Sequence, residues 1–158
     1  MKHILLVEDS NNLGNLLKEE IEKKVKRVGR VVVTVIRSEL EFRRKLSRLV
    51  DQNFDLVIFD VMVLWCSVDD LGDNHILPET PEEVQKELSG DEPFRGGVRC
   101  SRLFKERLFE KHETETSMFF YSIVDRDDLD ESLSPDDTHL LKTADFEPLI
   151  EKINELLK

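Results

Sequence analysis

Glu8 and Asp9 stand side by side in LLVEDS, Asp60 ends DLVIFD, Ser122 lies inside FFYSIV and Lys142 closes HLLK. Brought together, these five side chains would do specific chemistry. Two unit charges about 5 Å apart at an effective dielectric near 20 repel by roughly 3 kcal/mol, so three clustered carboxylates call for a divalent cation. Oxygen donors in small number favour Mg2+ over softer metals, above all where a phosphoryl group completes the coordination. Lys142 adds an ammonium that can hold a phosphoryl oxygen or a carboxylate, and Ser122 adds a hydroxyl donor. With charge withdrawn in this way, Asp60 becomes a nucleophile towards phosphorus and the product is an acyl phosphate. The transferred group spreads its charge over three equatorial oxygens, and metal, hydroxyl and ammonium supply one partner for each.

Whether they meet depends on the elements that carry them. Residues 3–7, 31–36, 55–59, 118–124 and 139–141 are short apolar runs rich in Val, Ile and Phe, the pattern of strands covered on both faces. Between them Leu13, Leu16, Leu17 and Ile21 recur at helical spacing. So do Phe42, Leu46 and Leu49, then Leu103, Phe104 and Leu108, and finally Phe146, Leu149, Ile150, Ile153 and Leu157. These stripes are read as core faces. Strands alternating with helices predict an α/β, open doubly wound parallel sheet of five strands with helices on both faces. Ligands of such sheets gather beyond the carboxyl ends of the strands, where all five residues fall.

At 158 residues and 39% apolar content the chain is expected to form one domain, 1–158, with a continuous core. The apolar stretch after Met1 is too short for a signal peptide and no run spans a membrane, so a soluble cytoplasmic protein without membrane insertion is expected. Cys66 and Cys100 are then reduced thiols. With His75 and His112 they make no zinc set, because no pair has the close spacing of structural sites.

The net charge is −11 and unevenly spread. Residues 64–94 hold nine acids against one lysine, residues 125–137 seven acids against one arginine, and the remainder is net basic by three charges. The cations elsewhere, Arg43, Arg44, Lys45, Arg95, Arg99, Arg102 and Lys105 among them, alternate with acids and read as solvated faces without a nucleic-acid stripe. Residues 64–94 fit no strand and read as an insertion after the third strand. Within it Thr80, Pro81 and Glu83 predict a capping box and Gly90 a stop, hence a helix over 81–89. Both acidic segments leave carboxyl ends of strands, so an acidic collar around the site is expected, one that draws in cations and favours a donor protein with a basic surface.

LLVEDS, DLVIFDVM, FFYSIVD and LLKTADFEPLIEKI together resemble the receiver domain of two-component response regulators, end to end apart from 64–94. Acids after strand one, Asp ending strand three, Ser in strand four and Lys ending strand five come in that family's order. The resemblance implies a flavodoxin-like sheet in the order 2-1-3-4-5, and that Asp60 accepts a phosphoryl group from a phosphohistidine. It implies that Asp9, Asp60 and the Met62 carbonyl bind Mg2+ directly and that Glu8 helps through water. It implies a switch in which Ser122 moves towards the phosphoryl group and His139 turns inward. The implied partners are a histidine kinase or histidine phosphotransfer protein and a downstream protein target, with a homodimer among the forms the class allows.

Several positions depart from that pattern. His139 stands where the family has Tyr or Phe, and an imidazole brings sensitivity to pH near neutrality. Leu64 replaces a proline four residues after the acceptor, and Thr143 replaces a proline that is commonly cis. Asp60 and Ser122 are 62 positions apart, roughly twice the family spacing, because of the insertion. Trp65, five residues after Asp60, is expected to report phosphorylation. One helix's length follows Lys142, so output is expected through protein contacts. The competing reading is a non-phosphorylated interaction module of the same fold. An aspartyl-nucleophile phosphatase is disfavoured because Met62 stands where its second Asp is needed, and a flavin site because Glu8 and Asp9 would oppose a phosphate.

Overall fold

A computed structural model describes residues 1–26, 29–71, 79–90, 94–111, 116–134 and 136–157. Five strands, β1 (Lys2–Val7), β2 (Val31–Ile36), β3 (Leu56–Phe59), β4 (Ser117–Ser122) and β5 (His139–Leu141), form one sheet. All its pairs are parallel, as the alternation of patterns predicts, and its order is 2-1-3-4-5, as the resemblance implies. Five α-helices accompany it: α1 (Asn11–Lys24), α2 (Glu39–Asp51), α3 (Glu82–Ser89), α4 (Gly96–Glu110) and α5 (Glu147–Leu156). Among the described residues no helix is long and apolar enough to cross a membrane.

The strand pleat divides the core. Leu5, Val7, Val57, Phe59 and Phe120 pack with Phe42 and Leu49 of α2 and Phe104 and Leu108 of α4. Their neighbours Ile4, Leu6, Leu56, Ile58 and Tyr121 pack with Leu17 and Ile21 of α1 and Leu149, Ile150 and Ile153 of α5. All four residues of β3 are fully buried, which accounts for a continuous apolar run where a one-sided strand would alternate. Leu16 departs from the predicted α1 stripe and is exposed, since a 3.6-residue period cannot turn Leu16 and Leu17 equally inward.

Two crossovers differ from regular helices. β4 ends at Ser122, short of the predicted 124, and Ile123 is exposed. From there to β5 the chain forms a single 3₁₀ helix, Arg126–Ser132, anchored by buried Leu129 and Leu133. The only apolar pair in an acidic segment is too little for an amphipathic α-helix. After β3, a 3₁₀ turn (Val68–Leu71) and α3 precede the crossover helix α4, placing a helix inside the insertion where one is predicted. α3 starts at Glu82 with Pro81 in the cap position, because Pro81 at ψ 150° is extended and cannot be the first helical residue. Gly90 ends it in the left-handed region at φ 86°.

The start of α4 packs against backbone. A Cβ on Gly97 would lie 1.5 Å from the Asp60 carbonyl oxygen, and one on Gly96 2.1 Å from that of Val63. The Gly97 N–H donates to Val61 O at 3.1 Å. Gly97→Ala is therefore expected to cost about 3 kcal/mol, the upper end for overpacking. For a chain of this size that lowers Tm by roughly 6–12 °C, read in a thermal melt. An unchanged melt would mean that α4 slides away at little cost.

Candidate functional site

Parallel register assembles the site. Val7 pairs with Ile36 and Phe59, so the residues just past these ends share one rim. The Asp60 N–H donates to Val7 O at 2.8 Å, and the Lys142 N–H donates to Ser122 O at 2.8 Å. Glu8, Asp9 and Asp60 each present a carboxylate oxygen within 4.8 Å of the others. The Lys142 ammonium lies 2.6 Å from Glu8 Oε2 and 2.6 Å from Asp60 Oδ2. Its charge also sits 5.7 Å from the centre of the Tyr121 ring. Four of the five predicted residues thus converge around the buried Asp60 and Glu8. The fifth, Ser122, is fully buried at the end of β4, its Oγ accepting from the Val124 N–H at 3.3 Å.

The remaining acceptors are held by nearby backbone. Glu8 Oε1 accepts from the Ser10 N–H at 3.1 Å, while the Ser10 hydroxyl caps α1 by accepting from Leu13 N. Asp60 Oδ1 accepts from Met62 N at a long 3.3 Å. Asp9 Oδ2 accepts from Leu64 N at 3.1 Å. Leu64 is the residue that stands in place of proline, and proline could not make this bond because it has no N–H. No described peptide bond is cis, so the Lys142–Thr143 bond is trans.

Burial pushes the Glu8 carboxyl above its ordinary value, with Lys142 partly opposing it. Burial does the same to Asp9, opposed in part by the Leu64 N–H. For Lys142 burial works downward, but Asp60 and Glu8 together outweigh it and raise the ammonium. Three carboxylates against one ammonium leave the rim short of positive charge. A carboxyl raised on folding favours the protonated folded state, so its ionisation withdraws stability as pH rises through the acid range towards neutrality. Asp9→Asn, which keeps an acceptor for Leu64, is therefore expected to stabilise the metal-free protein at neutral pH. The gain is about 1 kcal/mol, or roughly 2–4 °C, read by melts in chelator. Melts that coincide at neutral pH would show that the Asp9 charge carries no penalty.

The donor set fits a hard divalent cation: carboxylate oxygens alone, close enough to share one ion, with no thiol or imidazole among them. Of the four residues weighed for zinc, His75 and His112 lie outside the described residues, Cys100 is buried, and Cys66 belongs to the insertion.

Other expectations are placed differently. Trp65 is 5% exposed and packs with Leu40 of α2 and Val84 of α3, with the Arg43 guanidinium 5.7 Å from its ring centre. His139 is partly buried opposite Phe120, and its Nε2 has no hydrogen-bond partner. Burial pushes this imidazole below its usual value despite a backbone hydrogen bond at Val124, which moves any charge change to the acid side of neutrality. The acids expected to form a collar are in several cases already engaged. Asp70 accepts from the Ser38 hydroxyl at 2.5 Å and from Ser67 N at 2.8 Å. Glu87 pairs with Arg99, Asp137 pairs with Lys105, and Asp125 caps its 3₁₀ helix by accepting from Asp127 N. Asp73, Asp91 and Glu92 lie outside the described residues.

Arg99, read from the sequence as part of a solvated face, is 9% exposed between the buried Glu39 and Glu87. Helical spacing alone hides this, because the partners come from α2 and α3. A lone arginine within the GGVRCS start of α4 is the only local signal.

No protein-family model and no curated protein sequence matches the chain. Solved structures do. Response regulator protein TrrA from Thermotoga maritima, in complex with Mg2+–BeF, is 22% identical, with a TM-score of 0.60 over 99% of this chain and 100% of that one. Chemotaxis protein CheY4 from Vibrio cholerae is 14% identical, with a TM-score of 0.56 over 99% of each chain. A response regulator receiver protein from Sinorhizobium medicae is 18% identical, with a TM-score of 0.53 over 99% of this chain and 94% of that one. The chain has the receiver fold.

Proposed function

We propose that this chain is a response-regulator receiver that takes a phosphoryl group onto Asp60 from a phosphohistidine, in a Mg2+-dependent reaction, and signals through protein contacts. The observation that carries the reading is Asp60 itself, 2.6 Å from the Lys142 ammonium and within 4.8 Å of the Glu8 and Asp9 oxygens. A structural ion pair needs one acid, and here Lys142 pairs with two while a third carboxylate, Asp9, stands beside them.

A carboxylate oxygen of Asp60 attacks phosphorus as the phosphorus–nitrogen bond of the donor breaks, and the departing imidazole takes up a proton. Asp9, Asp60, the Met62 carbonyl and, through water, Glu8 would hold Mg2+, which supplies positive charge opposite the phosphoryl oxygens. Lys142 keeps its proton through the reaction, since Asp60 and Glu8 raise it, and serves as a fixed charge for a phosphoryl oxygen. The Ser122 hydroxyl donates to another. In doing so it leaves the 3.3 Å contact with Val124 N, a bond long enough to give up. That frees the turn carrying exposed Ile123 and gives His139 room to move inward. The donor is a histidine kinase or phosphotransfer protein and the reader is a downstream protein.

The test is intact-mass measurement after incubation with a small phosphodonor and Mg2+. A single added phosphoryl group, labile to hydroxylamine as an acyl phosphate should be and blocked by a chelator, is the expected result. If neither phosphate uptake nor any Mg2+ response occurs, the chain is instead a non-phosphorylated interaction module of the same fold.

A further inference from the structure

We infer that Glu87, contributed by the inserted helix α3, is a positioning residue for Asp60, acting through Arg99 and the first turn of α4. The functional half of this inference rests on Asp60 as the phosphoacceptor; the structural half does not.

The Arg99 guanidinium is divided between two carboxylates from separate elements. Glu39 of α2 takes Nε at 3.0 Å and Nη2 at 2.7 Å, and Glu87 takes Nη2 at 2.9 Å as well as Nη1. Glu87 also accepts from the Arg95 N–H at 3.0 Å, immediately before α4 begins. Glu39 and Glu87 are 0% and 4% exposed, so neither is a surface acid finding a casual partner. Glu87 thus fastens the insertion to the start of α4 by one backbone bond and two guanidinium bonds, with Glu83 of the same helix a looser 3.9 Å from Arg99 Nε.

That same helix start holds the acceptor loop. Gly97 lies against the Asp60 carbonyl and donates to Val61 O, while Gly96 lies against Val63 O. From the other side the N–H groups of Glu39 and Leu40 donate to Leu64 O at 3.0 Å and Trp65 O at 2.8 Å. The loop that presents Asp60 and Met62 is therefore gripped between the first turns of α2 and α4, and Glu39, Arg99 and Glu87 tie those two turns together. Removing Glu87 leaves the Arg95 N–H without its acceptor and Arg99 with Glu39 and, at a looser 3.9 Å, Glu83. The α4 turn keeps its Gly97 bond to Val61 O but loses the two Glu87 contacts that brace it from behind. The insertion, on this account, is a fixed brace for the site.

The test compares wild type with Glu87→Ala and with Glu87→Gln, which keeps volume and one acceptor oxygen but turns the other into a donor facing Arg99, and serves if the alanine variant does not fold. Glu82→Ala, on the exposed face of the same helix, is the control. In metal-free protein, amide exchange across 60–65 is expected to rise tenfold or more in the Glu87 variants and to stay at wild type in the control. The Mg2+ dissociation constant, followed by Trp65 fluorescence, is expected to weaken about tenfold. The phosphorylation rate at saturating Mg2+ should return to within twofold of wild type, a split that general destabilisation would not give. Wild-type exchange and Mg2+ affinity in a folded Glu87 variant, or an equal change in Glu82→Ala, overturns the inference. Faster exchange in a protein that never takes up phosphate supports the brace and rejects Asp60 as the acceptor.

Discussion

Asp60→Asn is expected to remain folded and to take up no phosphate, the complete loss of the acyl phosphate proposed for wild type. The residue is 7% exposed and its two side-chain oxygens have different partners, Lys142 on Oδ2 and the Met62 N–H on Oδ1. Asparagine keeps volume and one carbonyl acceptor, so the loop geometry survives, while the amide nitrogen offers no nucleophilic lone pair to phosphorus. Stability should hold or improve. The substitution removes one of three mutually repelling carboxylates, and Lys142 retains Glu8 at 2.6 Å. Mg2+ affinity should fall, because one of the three carboxylates proposed to hold the ion would lose its charge. Intact mass with phosphodonor, a melt and a Mg2+ titration on the same preparation check all three. Phosphate that persists on the variant and maps to Asp9 or Glu8 would move the nucleophile along the rim.

Lys142→Met should produce the largest loss of stability. The Lys142 side chain is 8% exposed and its ammonium is the only cation within hydrogen-bond distance of Glu8 and Asp60 among the described residues. Removing it leaves two buried carboxylates without a counter-charge, a change that costs about 3–5 kcal/mol in buried pairs. That corresponds to a Tm lower by roughly 6–20 °C at neutral pH. The pH dependence has a definite sign. Lys142 is raised on folding, so in wild type its contribution is present below the ordinary lysine value and is lost only as pH rises through the higher folded value. In the variant, Glu8 loses the Lys142 charge that opposes burial, so it takes up a proton more readily. The stability gap between variant and wild type should therefore narrow as pH falls from neutrality towards about 5, and Mg2+ should narrow it at neutral pH. A gap that is constant with pH would show that packing of the lysine stem, and not its charge, carries the effect. Phosphate uptake should fall with the same substitution, since the phosphoryl oxygens lose a fixed positive partner.

Much of this site was legible before any coordinates. β3 announces itself as four apolar residues ending in Asp60, and parallel strands separated by amphipathic helices leave few topologies open. Once the sheet order follows, Glu8, Asp9, Asp60 and Lys142 have one rim to occupy, because a parallel sheet sends all its strand ends the same way. Local chemistry of this kind is written in short spans: a strand end, an adjacent pair of acids, a lysine closing an apolar triplet.

What the sequence could not settle is how distant polar groups pair. Arg99, Glu39 and Glu87 lie on three helices, each with an ordinary mix of charges, and nothing in helical spacing distinguishes a buried arginine from a solvated one. Asp70 and Glu87 read as members of an acidic surface, whereas the 3₁₀ turn after β3 brings Asp70 to Ser38 at the start of α2, and α3 turns Glu87 inward to meet Arg99. Leu64 looked like a lost proline, and only the approach of β1's end shows its N–H donating to Asp9. The reason is physical. Apolar periodicity is set by each element's own geometry, but the sign and burial of an ion pair depend on which elements come together, and that is decided by the tertiary fold.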